Sequence, residues 1–111
     1  MTTVTVFSAE DRLTGFEVSG HSGYAEAGAD IVCAAVTSAV RLVECAINDV
    51  LGLEASVKVK QKDAAVILKL PARLSQEQET QCQTLLAAFL VHLTALAEEF
   101  PENLLVLNLE V

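Results

Sequence analysis

Two residues in one short stretch of this chain have the types and spacing for nucleophilic chemistry: His21 and, twelve positions on, Cys33, in SGHSGYAEAGADIVCAAVTSAV. A thiol attacks as its thiolate, and an imidazole brought within hydrogen-bonding reach can take the proton. Asp30 stands immediately before the apolar periodicity that opens at Ile31, so it reads as a helix N-cap. Cys33 is then expected as the third residue of that helix, where free backbone N–H groups and the positive end of the macrodipole stabilise a thiolate. It also heads a polar stripe, Cys33, Thr37, Arg41, Glu44 and Asn48, whose spacing of four, four, three and four turns it away from the core. Taken singly, a loop histidine is a solvated side chain and a helical cysteine is as readily a packing residue as a nucleophile. Taken together they form a dyad.

The elements that must position this pair follow from pattern. Val4 and Val6 alternate with Thr3 and Thr5, and Phe16 and Val18 with Glu17 and Ser19, around a polar AEDR stretch, which predicts a β-hairpin. Val32, Val36, Val40, Val43, Ile47 and Val50 recur at three and four, predicting a first helix from Ile31 to about Val50, with Gly52 at its stop. EASVKVK and AAVILKL predict a second strand pair, closed by Pro71. Ser75 with Gln78 three residues later forms a capping box for a long second helix bounded by Pro101, and LLVLNLEV supplies a last strand. The order β-β-α-β-β-α-β predicts an α+β two-layer sandwich, two helices on one mostly antiparallel mixed sheet, as a single domain over residues 1–111. Between the second strand and the first helix lie Gly20, Gly23 and Gly28, giving a loop able to move.

Composition narrows the function. Fifteen acidic against seven basic residues give a charge of -8, which repels a phosphate backbone and excludes nucleic acid as a primary ligand. Lys58, Lys60 and Lys62, at alternate positions, read as the solvated face of a strand. The opening MTTVTVFSAED has no basic region of a secretory signal. LLAAFLVHLTALA, the longest apolar run, is shorter than the roughly 20 residues of a membrane span, so no span is expected. Three cysteines, an odd number, fit a reducing, cytoplasmic compartment. Cys45 and Cys82 are expected to pack in the core, and His92 to be a core or interface residue of the second helix. That helix is apolar on nearly every side from Leu85 to Ala97, which predicts self-association into a homodimer. No CxxC, HExxH, GK[ST] phosphate loop or GxSxG elbow occurs, so neither a metal nor a cofactor is expected.

GHSGYAEAGADIVCAAVTSAV resembles the signature of the ribosomal-processing cysteine proteases, the Prp family, in which GHAGYA, a DIVCAA helix start and a downstream hydroxyl recur. The motif spans about a fifth of the chain, and the element order is similar throughout. The resemblance implies His21 and Cys33 as catalytic pair, Asp30 as helix cap and third member, and a glycine loop that closes over substrate. It also implies a homodimer that removes a short N-terminal extension from the large-subunit ribosomal protein numbered twenty-seven, cutting after paired aromatic residues. Ser22 stands where alanine is common, and Thr37 where serine is usual; Thr37 keeps the hydroxyl but adds a methyl that stiffens χ1. A negative surface suits such a basic substrate. The alternatives are a non-enzymatic module that docks on a basic ribosomal protein with the glycine loop as a grip, which leaves Cys33 unexplained, and a dimeric structural protein.

Overall fold

The computed structural model describes residues 1–20, 27–62 and 64–111, with the backbone alone at 27–30. The chain runs β1 (Thr2–Ala9), β2 (Arg12–Ser19), α1 (Ala27–Glu44), a π-helical segment (Cys45–Val50), β3 (Ser56–Lys60), β4 (Ala65–Lys69), α2 (Gln76–Glu99) and β5 (Leu104–Glu110). The strands form one sheet in the order β3-β4-β2-β1-β5. Each adjacent pair is antiparallel except β1 and β5, which run parallel, so the mixed α+β sandwich expected from the pattern is what the residues form.

Alternation explains the first two strands. Val4 and Val6 are fully buried while Thr3 and Thr5 look to the other face, and the two-residue turn Glu10-Asp11 has positive φ at both positions, 51° and 65°, the geometry that matches strand twist. Opposite Phe7 the hairpin register shifts by a bulge, and Gly15 follows, buried in β2, where a Cβ would run into the carbonyl of Leu68 on β4.

The helix α1 begins at Ala27, four residues before Ile31. Asp30 is therefore inside the first turn rather than its N-cap, and Gly28 is the second helical residue rather than part of a loop. Ala27, Gly28 and Ala29 offer no apolar period to read, while Asp30 before Ile31 imitates a cap. The buried stripe Val32, Val36, Val40, Val43 and Ile47 runs through α1 into the π-helical segment. There Asn48 fastens the following loop: its Nδ2 donates to the carbonyl of Ala55 at 3.2 Å, and the N–H of Ala55 donates back to Oδ1 at 2.9 Å. Cys45 is exposed, contrary to expectation, because it lies two residues from both Val43 and Ile47, on the opposite side of the helix.

The box at the start of α2 forms both of its bonds, the N–H of Gln78 to Ser75 Oγ at 3.1 Å and the N–H of Ser75 to Gln78 Oε1 at 3.0 Å. Cys82, Leu86, Phe89 and Leu93 bury one face, and Phe89 stacks on Phe16 of β2 with ring centroids 4.3 Å apart. Gln83 adds a polar fastening, donating to the Leu13 carbonyl at 2.7 Å and accepting from the Leu13 N–H at 2.8 Å. The outer side of α2 is less apolar than expected. Its one large exposed hydrophobic side chain is Val91, and His92 is exposed rather than in the core. By length and composition Ile31–Val50 and Gln76–Glu99 could each cross a membrane, but both lay a buried face on the same sheet and share one core.

Candidate active site

Cys33 sits where the buried and solvated sides of α1 meet. Val32 and Val36 beside it are buried, Thr37 and Arg41 are exposed, and Cys33 itself is half-buried. Together with Ala34, Thr37, Ser38 and Arg41 it lines an open recess on the helix surface. Thr37 and Arg41 also line a second recess, floored by Val18 of β2, Val40 of α1, Val57 and Val59 of β3 and Val66 of β4, with Glu44 at its rim. The surface beside the thiol thus continues into an apolar groove between α1 and the β3 edge of the sheet.

That groove exists because α1 does not cover β3. Val57 and Val59 pair with Leu68 and Val66 of β4 and project on the same side as the core residue Leu68. Val59 nevertheless stays 66% exposed, since no helix reaches it. The alternation of Val57 and Val59 was visible in sequence as half of a strand. What it faces depended on the pairing β3-β4-β2, which local pattern does not encode, so the sequence named Arg41 in the polar stripe but did not point to these valines as its neighbours.

The helix start changes the electrostatics expected for the thiol. Cys33 is the seventh residue of α1, while the unpaired N–H groups of a helix are those of its first four residues, here 27–30. The dipole's influence fades within that first turn. Cys33 therefore lies beyond the region in which helix termini alone stabilise a thiolate. His21, Gly23 and Tyr24 lie outside the described residues, and of Asp30 and Gly28 only the helical backbone is described. Gly20 opens that segment with φ +80°, a left-handed conformation, and a Cβ there would meet the Met1 carbonyl oxygen at 2.5 Å. Both conditions require glycine.

The other two thiols differ in setting. Cys45 is exposed on the π-helical segment and lines neither recess. Cys82 is fully buried, as its place in the apolar stripe predicts; desolvation pushes its thiol above the ordinary value, the nearby Glu79 carboxylate adds to the rise, and Arg12 partly opposes it. Among the described residues no three His, Cys, Asp or Glu side chains gather as metal ligands.

Known proteins align with nearly all of this chain. The family described as cysteine protease Prp matches residues 1–105. A ribosomal processing cysteine protease Prp of Bacillus subtilis (strain 168) is 28% identical over 105 residues, 94% of each chain. Among solved structures, SMU.848 from Streptococcus mutans superposes with a TM-score of 0.85 at 28% identity, covering 100% of this chain and 96% of its own. The essential ribosomal processing protease Prp from S. aureus, solved in complex with a substrate peptide, gives a TM-score of 0.83 over 98% of this chain and all of its own; at 21% identity it shows the shared fold.

Proposed function

Because this chain belongs to the cysteine protease Prp family and is a cysteine protease, we propose that Cys33 is its nucleophile and His21 its general base. The observation that carries this reading is the placement of Cys33 in an open recess that runs into the valine-floored groove. A peptide laid along that surface has its carbonyl carbon at the thiol and its apolar side chains over Val18, Val57, Val59 and Val66. The thiol proton passes to the imidazole, the sulfur attacks the carbonyl carbon, and the C–N bond breaks as the imidazolium returns the proton to the leaving amine. Water, deprotonated by the same imidazole, then hydrolyses the thioester and restores the thiol.

The substrate we assign is a basic large-subunit ribosomal protein, the one numbered twenty-seven, from which a short N-terminal extension is removed. The charge of -8 supports it, since an acidic enzyme draws a basic substrate over long range. Free thiols and a ribosomal substrate fit action in the cytoplasm. Membership in a protease family sets aside the reading as a binding module without chemistry.

The test is incubation of the extended ribosomal protein with the wild-type chain and with Cys33→Ala, the new N-terminus being read by mass spectrometry. Wild type is expected to release the extension, and the variant, folded by circular dichroism, to release none. Cleavage by Cys33→Ala at the wild-type rate would remove Cys33 from the mechanism.

A further inference from the structure

Arg41 lines both recesses beside Cys33, and among the described residues it is the one charged side chain that does so. Two ordinary uses of a helical arginine do not apply to it. Among the described residues the ion pair is Arg12 with Glu79; Glu44, three positions on and within reach along the helix, is not joined to Arg41. A cation can also serve a helix C-terminus, but the helical run goes on through the π-helical segment to Val50, and the dipole acts only within the last turn. Arg41 stands exposed instead at the border of a groove floored by valines. Its guanidinium carries five donors and no acceptor, so oxygen is what matches it, and the valine side chains supply none.

We propose, resting on the reading of Cys33 as nucleophile, that Arg41 is a specificity-determining residue. It selects a substrate side chain that ends in a carboxylate or carboxamide, three to four residues from the bond that is cut. Position sets that register. From Cys33 to Arg41 the helix advances about 12 Å at its usual rise, a span that an extended peptide covers in three to four residues at about 3.3–3.6 Å each. At that place a planar carboxylate or an amide oxygen accepts from the guanidinium fork, whereas a lysine or arginine of the substrate meets a like charge. Glu44 narrows the choice further. It lies about 4.5 Å beyond Arg41 along the helix axis, at the groove rim, and repels a second acid, so a single acceptor is taken rather than an acidic run. Net charge and this contact act at different ranges: the charge of -8 draws a basic protein from a distance, and the lone cation reads one side chain once the peptide has landed.

The test is a library of ten-residue peptides, randomised at every position, cleaved by the wild-type chain and by Arg41→Glu, with the products sequenced by mass spectrometry. In wild type, Glu or Gln at the third or fourth residue from the cut is expected to give a kcat/KM at least about fivefold above that with Lys, the scale of an exposed ion pair. Arg41→Glu is expected to reverse the order of Glu and Lys there and to keep the wild-type preference at the cut itself, which general damage to the fold would not do. Retention of the same library on immobilised Cys33→Ala, with and without Arg41→Glu, reads the preference without turnover. A wild type that favours Lys at both positions, or a Glu-to-Lys ratio that Arg41→Glu leaves unchanged in cleavage or in retention, would overturn the proposal. Cleavage by Cys33→Ala would overturn the nucleophile instead, a separate failure, because retention reports on Arg41 whichever group attacks.

Discussion

Moving Cys33 from third to seventh place in its helix changes what must activate it. A thiol in the first turn draws on the free N–H groups there; one six residues in has to rely on a base. Under the proposed mechanism that base is His21, so His21→Ala should slow iodoacetamide labelling of Cys33 to the rate of Cys45, an exposed thiol outside both recesses. A loss of about 100-fold is the scale for removal of a general base. Rates followed thiol by thiol by mass spectrometry check this, with Cys82 as the slow reference, since burial and Glu79 keep it protonated. An unchanged Cys33 rate in the variant would assign activation to another group. At this scale the sequence was informative about Cys33 and Thr37, which share a helix face at a spacing of four and share a recess in the structure. It was misleading about Asp30, because a cap is recognised by the residue that follows it, and Ile31 opens the apolar stripe without opening the helix.

At the level of elements, the start of α2 and the first hairpin were read correctly from local pattern, while the start of α1 was not. The capping box at Ser75 is a matter of four consecutive residues, and the hairpin of β1 and β2 needs only two alternating runs and a polar turn. The sheet order β3-β4-β2-β1-β5 is different, since it depends on which strands meet after the chain has travelled through a helix. The groove beside Cys33 inherits that opacity, being made where β2, β4 and β3 align and α1 stops short of β3. The π-helical segment is also silent in sequence, yet it delivers Asn48 to Ala55. Ala55 is buried, so Asn48→Ala leaves its N–H and C=O without their partner and should cost about 1–3 kcal/mol. Urea unfolding measures it. A midpoint equal to wild type would mean that water takes over both bonds. β3 follows directly after Ala55, so the variant should also loosen Val57 and Val59 and weaken peptide binding before it affects the chemical step.

For the whole molecule, the surplus of acidic residues bears on the proposed basic substrate, which it would draw over long range. Raising ionic strength from about 0.01 M to about 1 M shortens the screening length from about 30 Å to about 3 Å. The kcat/KM for the proposed full-length ribosomal substrate should fall at least about tenfold across that range, the lower end of electrostatic steering, while an uncharged peptide carrying the same cleavage sequence should be processed at a nearly constant rate. Equal salt dependence for both would remove charge from recognition. The parallel pairing of β1 with β5 has a consequence for how the protein is made. β1 emerges from the ribosome just before β2 and finds it at once, but its other neighbour, β5, appears about a hundred residues later. At about 5–20 residues per second that gap lasts roughly 5–20 s. Throughout it the uncharged run Thr2 to Phe7 offers an open edge to any other growing chain. β1 is thus the strand longest at risk of mispairing, and arrival of residues 104–110 ends the exposure.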